Sequence, residues 1–542
     1  MSKYIIIGGV AGGASAAARL RRLDETAEII LVERGEYISF ANCGLPYYIG
    51  GAIKERERLF VQTPASFAKR FHVDVRVETE VLAIDPAAKK ITVQAKNRGR
   101  YEESYDALLL APGAKPLKPA IPGIDHPRIL SLRNIPDADQ LRQRAEGTRA
   151  IVIGGGFIGL EMAENLRRRG LEVMLVEAAE HVLAPFDADM AAIVEKELQA
   201  KGVSLFLGDG VTSFTGTEAS VSVTLTSGKT LSADFVVLAI GVRPDTDFIK
   251  NSGLALGPRG HILVDERLQT NMAAVYAVGD AVEVIDFVSG EKTAIPLAGP
   301  ANRQGRVAAD NMAGQKSLYR GVQGTSILRV FDLTAAATGS NERSLKRQQM
   351  DYKVVQLHPL SHAGYYPGAQ MLTLKLLFAG DGRILGAQAV GRDGVDKRID
   401  VIAAVLRLGG TIYDLTELEL AYAPPFSSAK DPVNMAGYVA ENVLSGRAEC
   451  IAYEHLPAAV KAGALLLDVS TAGEYEAGHI PGAINIPIDE LRQRLSELRV
   501  DRSLVVYCKV GIRGYLAERI LKQQGFSVKN LMGGYTSVLQ QQ

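Results

Sequence analysis

The sequence predicts a multidomain α/β chain. Two Gly-rich turns each lie between a short buried-strand pattern and a helix, and a third strand-turn-helix unit carries a cysteine late in the chain. The length agrees, because 542 residues at 47% hydrophobic and 23% charged supply several buried cores, so three or four domains are expected. The 61 basic and 61 acidic residues cancel. That balance excludes a global field drawing the chain to nucleic acid or an anionic membrane and leaves local anion sites open. The 54 glycines gather in tight strand-turn-helix runs, not in low-complexity stretches.

The first unit opens with a strand over 4–7, the turn Gly8-Gly9-Val10-Ala11-Gly12-Gly13 and an Ala-rich helix over 14–23; a second strand, 28–32, ends at Glu33. In such a βαβ unit the glycines let the backbone approach a pyrophosphate at a helix N-terminus, and the acid meets a ribose hydroxyl. The pattern recurs as a strand over 150–153, Gly154, Gly156 and Gly159, with Phe157 and Ile158 opening a helix and Glu177 ending the next strand. A lone glycine motif is weak evidence. A strand before it, a helix after it and an acid about twenty residues on strengthen it, and the second unit has all three. In the first, Val10 replaces the middle glycine. Support comes from the strand 107–110 ending at Ala111-Pro112-Gly113, and from Tyr276-Ala277-Val278-Gly279-Asp280, whose acid can reach a polyol hydroxyl.

Lys3 and the apolar run after it imitate a secretion signal, but a strand entering a Gly-rich turn explains the same residues. No apolar run approaches the ~20 residues that span a bilayer. Cys43, Cys450 and Cys508 lie far apart and form no CxxC pair. A disulfide framework and a structural zinc site are therefore disfavoured, and a cytoplasmic setting is expected. His358 and His362 are spaced i, i+4, but no third ligand is evident and the surrounding Pro and Gly argue against a helix, so no metal is expected.

These motifs together resemble the FAD-dependent pyridine nucleotide-disulfide oxidoreductases over 1–440. The resemblance implies two Rossmann-like domains, with an NAD domain (119–241) inserted in an FAD domain (1–118 and 242–322), and an α+β interface domain (325–444) that forms a homodimer. It implies FAD contacts from Gly8, Gly12, Gly13, Glu33, Arg34, Val81, Ala111, Gly113, Asp280 and Pro300. For the nicotinamide cofactor it implies Gly154, Gly156, Phe157, Ile158, Gly159, Glu177 and Gly241. Glu177 would hold the adenosine ribose of NADH and repel the 2′-phosphate of NADPH by up to about 4 kcal/mol, giving preference without exclusivity.

Cys43 lies in Ser39-Phe-Ala-Asn42-Cys43-Gly44-Leu-Pro46-Tyr-Tyr48. Dithiol members of the family carry a second cysteine five positions on, where this chain has Tyr48. A single cysteine must cycle with a small thiol or with oxygen. The peroxidase and oxidase branch carries histidine at position 10, where this chain has Val10. The segments GGVAGGASAAARLRR and SFANCGLPYYIGG resemble the coenzyme A-disulfide reductase branch, whose cysteine rests as a mixed disulfide with CoA. Ser15, Arg19 and Arg22 share one helix face, and the arginines could grip CoA phosphates. Ser39, Asn42, Asn302 and Lys430 match substrate positions of that branch, and Lys69 or Arg70 could add a phosphate contact. The family's partner-subunit tyrosines match Tyr422 and either Tyr365 or Tyr366, where a phenol can donate to a departing thiolate.

After the linker 445–453, residues 454–542 read as a separate α/β unit. The strand 503–507 delivers Cys508 to the turn Cys508-Lys509-Val510-Gly511-Ile512-Arg513, before a helix over 515–523. Backbone N–H groups at a helix start favour a thiolate or anionic persulfide, and Arg513 adds positive charge. This unit resembles a single-domain rhodanese, with Glu474-Tyr475 and Gly478-His479-Ile480 as a second signature and Ser470 where many members carry arginine. Cys450 has no motif and reads as a bystander. Together the resemblances imply NADH-driven, FAD-dependent reduction of CoA persulfide, polysulfide and CoA disulfide through Cys43, with Cys508 delivering sulfur. The rivals are a plain CoA-disulfide reductase with a sensory rhodanese domain, an NADH oxidase or peroxidase, and a non-enzymatic redox-dependent interaction protein.

Overall fold

The computed structural model describes residues 2–542. The chain divides into two compact units, 1–182 with 199–324, and 183–198 with 325–542.

The first unit holds two parallel sheets. In one, the order is Val275–Ala277, Ala107–Leu110, Lys3–Ile7, Glu28–Val32, Asp74–Arg76; in the other it is Val203–Phe206, Glu172–Val176, Arg149–Ile153, Phe235–Leu238, Ile129–Leu130. Central strands such as Lys3–Ile7 and Ala107–Leu110 are almost wholly buried, as expected of parallel strands covered on both faces. In each sheet the central strand, Lys3–Ile7 or Arg149–Ile153, runs into a Gly-rich turn and a helix, Ala11–Leu23 and Phe157–Arg168. The first helix begins three residues earlier than the sequence suggests. Its early glycines do not delay the helix; they stand inside its first turn, where the backbone must approach its neighbours.

The second unit combines an antiparallel sheet with a parallel one. The antiparallel order is Ser326–Val330, Leu333–Gly339, Ile384–Gly391, Leu372–Phe378, Lys353–Leu357, with the helices Val395–Arg407 and Pro432–Leu444 packed on it. Residues 183–198 join this unit through a buried charge cluster. Lys375 Nζ lies 2.8 Å from Asp189, 2.6 Å from Glu342 and 3.2 Å from Asp187. Burial opposes the Lys375 charge and the three carboxylates outweigh it, so its pKa is raised. Removing one member would leave a buried charge uncompensated.

The parallel sheet runs Cys450–Ile451, Val528–Leu531, Leu504–Tyr507, Leu465–Asp468, Ile484–Asn485. Cys450 therefore sits in an edge strand, paired with Asn530, and not in an irregular linker. A two-residue strand has no periodicity that sequence could reveal. Cys508 follows the middle strand, and its helix starts at Ile512, three residues before the position expected. Among the described residues no helix is long and apolar enough to cross a membrane.

Candidate functional site

The turn after Lys3–Ile7 is built by close approach. A Cβ on Gly8 would lie 2.1 Å from the Ala111 carbonyl oxygen, and one on Gly13 would lie 1.9 Å from the Gly8 oxygen. Gly8 also has φ +97°, a region that disfavours any side chain. A Cβ on Gly12 would lie 2.9 Å from the Val278 side chain, and one on Gly305 of the helix Ala298–Met312, which also carries Pro300, would lie 2.3 Å from the Gly12 oxygen. Glu33 accepts the Gly9 N–H at 3.0 Å and the Gly35 N–H at 2.9 Å, which fixes its carboxylate at the turn.

Asp280 follows Val275–Ala277 in a short turn held by the Gly279 N–H, which donates to Gln304 Oε1 at 2.7 Å. Burial pushes the Asp280 carboxyl up, against the Arg133 charge. Among the described residues nothing donates a hydrogen bond to it. A crowded carboxylate without a donor fits a polyol chain of hydroxyls, and the tight glycine turn fits a pyrophosphate. These residues thus fit FAD. Gly113, φ +68°, lies at the same end of the sheet, while Val81 is a core residue of a neighbouring hairpin. Arg34 pairs with Asp245, as does Lys115 at 3.1 Å. Burial would raise the Asp245 carboxyl, but the charges of Arg34 and Lys115 hold it low.

The second turn repeats the device. Gly154 abuts Ala239, and a Cβ on Gly159 would lie 1.8 Å from the Gly154 oxygen. Glu177 accepts the N–H groups of Gly155 at 2.6 Å and Ala179 at 2.8 Å. Gly156 has open space around its missing Cβ, and Ile158 is exposed beside Phe157 at the helix start. Gly241, φ +114°, connects back toward the first sheet through the Leu117 N–H.

Cys43 lies in the single turn Asn42–Gly44 ahead of the helix Leu45–Ile49. It is exposed, yet its thiol is pushed up, by burial first and then by the charges of Glu161 and Asp280. Tyr48 is not beside it in function: its hydroxyl donates to Asp139 at 3.2 Å, and Arg142 covers its ring. Ser39 takes a left-handed φ of +46°, and its N–H reaches the Gly9 carbonyl at 2.8 Å, tying the cysteine segment to the glycine turn.

Ser15 and Asn302 meet, Oγ donating to Oδ1 at 2.6 Å. Arg19 is committed to Asp310 at 2.7 Å, whereas Arg22, Lys69 and Arg70 are exposed. The shared helix face thus packs against the helix Ala298–Met312, with the Arg19 bond made through its Nε.

In the second unit, Tyr365 and Tyr422 bring their hydroxyls to 2.8 Å. This bond raises the Tyr365 phenol. Tyr366 instead packs edge-on against His362, with centroids 5.7 Å apart. Tyr365 is 76% and Tyr422 48% exposed, so the pair projects from the unit; Lys430 is exposed as well.

Cys508 is fully buried, and its sulfur accepts the Gly511 N–H at 3.2 Å. Arg513 forms a two-pronged pair with Glu474, at 2.6 and 2.8 Å, and its charge also interacts with Cys508. That pair holds the Glu474 carboxyl down to about 2, and Thr471 supports the same carboxylate from the helix start. Ser470 turns its backbone to Asp468 and Asn485, so support of Glu474 does not depend on it. The Cys450 thiol is pushed up to about 12 by burial, then by Glu518, which makes it inert as a nucleophile at neutral pH.

Two site residues carried no sequence signal. Arg133 reaches from an irregular segment to the Pro112 carbonyl at 3.2 Å and lies 3.5 Å from Asp245. Glu161, one turn into the helix Phe157–Arg168, accepts from Tyr47 at 3.3 Å, and burial pushes its carboxyl up to about 7. Only its position four residues after Phe157 could have flagged it, since i, i+4 places both on one face.

The two nucleotide turns, the lone cysteine and the sulfur loop define a class. Residues 2–305 match the family model for pyridine nucleotide-disulphide oxidoreductases, 325–432 match that family's dimerisation domain, and 453–541 match a rhodanese-like domain. The chain belongs to the pyridine nucleotide-disulphide oxidoreductase family and carries a rhodanese-like domain. Among solved structures it is similar to reduced Bacillus anthracis CoADR-RHD, with 51% identity, a TM-score of 0.97 and coverage of 99% of this chain and 98% of that one. A NAD-dependent persulfide reductase from A. fulgidus is 39% identical, with a TM-score of 0.94 over 99% of each chain. A coenzyme A disulfide reductase of Staphylococcus haemolyticus is 38% identical over 82% of this chain and all of its own length.

Proposed function

We propose that the protein is a homodimeric, NADH-dependent flavoenzyme that reduces CoA persulfide and CoA disulfide through Cys43, with Cys508 delivering sulfur. The observation that carries this reading is the isolation of Cys43. The other cysteines, Cys450 and Cys508, lie in a different unit and are an inert thiol and a buried sulfur. Cys43 has no second cysteine in its own unit, and we read its disulfide partner as a small thiol. The relatives named for CoA disulfide and persulfide reduction support CoA as that thiol.

The FAD site is 1–118 with 242–322 and the NAD site 119–241. The flavin, when bound, relays two electrons from the nicotinamide to the disulfide. The chain's own work is to hold and orient. Gly8, Gly12 and Gly13 admit the pyrophosphate, Glu33 takes the ribose and Asp280 takes the polyol chain. Glu177 holds the NADH ribose and disfavours the 2′-phosphate of NADPH. The Cys43 thiolate attacks the CoA-bound sulfur of CoA persulfide, the S–S bond breaks, and hydrosulfide leaves. The Cys43–CoA disulfide then takes two electrons and a proton, restoring the thiolate and releasing CoA thiol. The net reaction consumes CoA persulfide, NADH and a proton, and yields CoA, hydrogen sulfide and NAD⁺.

Tyr422 and Tyr365 are the phenols that donate to the leaving CoA thiolate across the dimer, because they share a hydrogen bond and project outward, while Tyr366 packs on His362. By the family resemblance Ser15, Arg19, Arg22, Ser39, Asn42 and Asn302 contact CoA, as does Lys430. The Cys508 thiolate attacks the terminal sulfane sulfur of a polysulfide, whose chain leaves one sulfur shorter, and a CoA thiolate then removes the outer sulfur as CoA persulfide and returns the Cys508 thiolate. The Gly511 N–H and Arg513 offset the anionic charge.

Two measurements test this reading together. Reduction of the purified protein should release one CoA per Cys43, detected by mass spectrometry. Cys508→Ala should sharply reduce NADH-driven hydrosulfide release from polysulfide while turnover of preformed CoA persulfide continues. Undiminished release from polysulfide would overturn the delivery role.

A further inference from the structure

The Cys508 loop is closed by the last helix, Gly534–Gln541. The Tyr535 N–H donates to the Cys508 carbonyl at 2.8 Å and the Thr536 N–H to the Lys509 carbonyl at 2.9 Å. Gly533 and Gly534 lead into this helix with φ values of +68° and +63°. A Cβ on Gly534 would lie 2.1 Å from the Cys508 oxygen, and a Cβ on Gly533 would lie 2.6 Å from His358 Nε2. One face of this glycine pair therefore presses on the sulfur loop and the other on an imidazole of the antiparallel sheet.

That imidazole is buried and doubly bonded. His358 Nε2 lies 2.8 Å from Ser537 Oγ on the last helix, and Nδ1 lies 3.0 Å from Thr373 Oγ1 on the strand Leu372–Phe378. Gln540 donates to the same Thr373 hydroxyl at 2.9 Å, and Lys196 donates to the Leu539 carbonyl. His358 also begins the segment that runs through His362 to Tyr365. The groups that hold the wall of the sulfur loop and those that lead to the tyrosine pair thus meet at one side chain. None of these contacts belongs to the sulfur chemistry of Cys508 or the redox chemistry of Cys43.

We propose that His358 is a positioning residue that anchors the Cys508 loop to the tyrosine-bearing domain through Ser537. The anchor sets the location from which sulfur is handed to CoA, and in that respect it rests on the delivery reading above. A loop held only by its own turn could still accept sulfur from a small donor. Transfer onto CoA bound elsewhere in the dimer depends in addition on where the loop is held, and misplacement costs rate without altering either thiol.

The experiment uses the full-length holoenzyme with His358→Ala, Ser537→Ala and the conservative His358→Gln. Hydrogen exchange at residues 508–511 and 534–541 reads the anchor directly and does not depend on how sulfur is delivered. Exchange should accelerate in both alanine variants and return toward wild type in His358→Gln, which can still bond to Ser537. Three rates are then compared: sulfur transfer from thiosulfate to cyanide, NADH-driven reduction of CoA disulfide, and NADH-driven hydrosulfide release from polysulfide with CoA. The first two should stay within about twofold while the third falls about tenfold in the alanine variants. Unchanged exchange at 508–511 in Ser537→Ala, the milder variant, overturns the anchor. Accelerated exchange with all three rates falling equally overturns the positioning role and leaves a merely structural one. If Cys508→Ala also leaves the third rate intact, the delivery reading fails, and exchange still decides the anchor.

Discussion

The two cysteines to which the proposed function gives chemistry are opposites. Cys43 is exposed, in a one-turn helix, and its thiol is pushed up by crowding and by the carboxylates Glu161 and Asp280. Cys508 is buried, at the end of a central strand, with an N–H on its sulfur and a guanidinium beside it. Exposure suits a cysteine that must receive a bulky thiol. Burial among donors suits one that must carry a small anionic sulfur. The difference shows that reactivity is assigned by surroundings: the Cys508 loop supplies its own positive environment, whereas Cys43 feels the acids Glu161 and Asp280 and depends on what binds there.

The comparison breaks most readily at Arg513. Arg513→Ala removes the charge next to Cys508 and leaves Glu474 held only by Thr471. Sulfur transfer from thiosulfate to cyanide should fall about 10²-fold, the range seen when a single stabilising donor is lost from an active site. NADH-driven reduction of CoA disulfide should not change. Equal transfer rates in variant and wild type would mean that the loop N–H groups suffice and that the guanidinium does not distinguish the two cysteines.

The other side of the comparison is sharpened by Glu161→Gln. Glu161 is pushed up to about 7, so in the wild type its negative charge is present mainly above that pH, where it opposes formation of the Cys43 thiolate. Glutamine removes the charge. In reduced, CoA-free protein the alkylation profile of Cys43 should move to lower pH, and the two proteins should diverge above about pH 7. An unmoved profile would show that crowding and Asp280 raise this thiol without Glu161. Alkylation of Cys508 provides the control, because Glu161 belongs to the other unit.

Much of this site was legible because its determinants are local. The glycine turns, the acids Glu33 and Glu177 and the Cys508 loop are short strings whose steric and charge requirements hold wherever the string occurs. The same strings misled at helix starts. Glycines at 12, 13, 511 and 514 read as loop, yet in the fold most stand in or beside the first helical turn, where absence of a Cβ permits contact. Arg19 illustrates another limit. Periodicity placed it correctly on a face with Ser15, but only the fold shows that Asp310 lies opposite. Arg133, Glu161 and the His358–Ser537 bond join residues far apart in sequence or lie outside any motif, and no pattern in one chain announces such pairs. Between Tyr365 and Tyr366 the sequence offers no distinction, since both have the same chemistry, and the fold adds only that Tyr365 meets Tyr422.

The smallest expected effect concerns acid, and it bears on the second unit alone. Burial depresses the His358 imidazole to about 4, and the groups bonded to it, the hydroxyls of Thr373 and Ser537, do not ionise. In the unfolded chain a histidine titrates near 6.5. Above about pH 6.5 neither state is protonated there, and the stability linked to His358 is fully present. As pH falls from about 6.5 toward 4, the unfolded chain takes up a proton that the folded unit resists, so stability declines by at most about 1.4 kcal/mol per pH unit from this group. Below the folded value the ring becomes a cation, and the Nε2 atom that had accepted or donated to Ser537 can only donate. Urea unfolding of wild type and His358→Gln at pH 7.5 and pH 5 should therefore show a smaller loss on acidification in the variant, whatever their difference at pH 7.5. Parallel losses would mean that His358 is already protonated in the folded state, and the buried imidazole could then not be the neutral link between the sheet and the last helix.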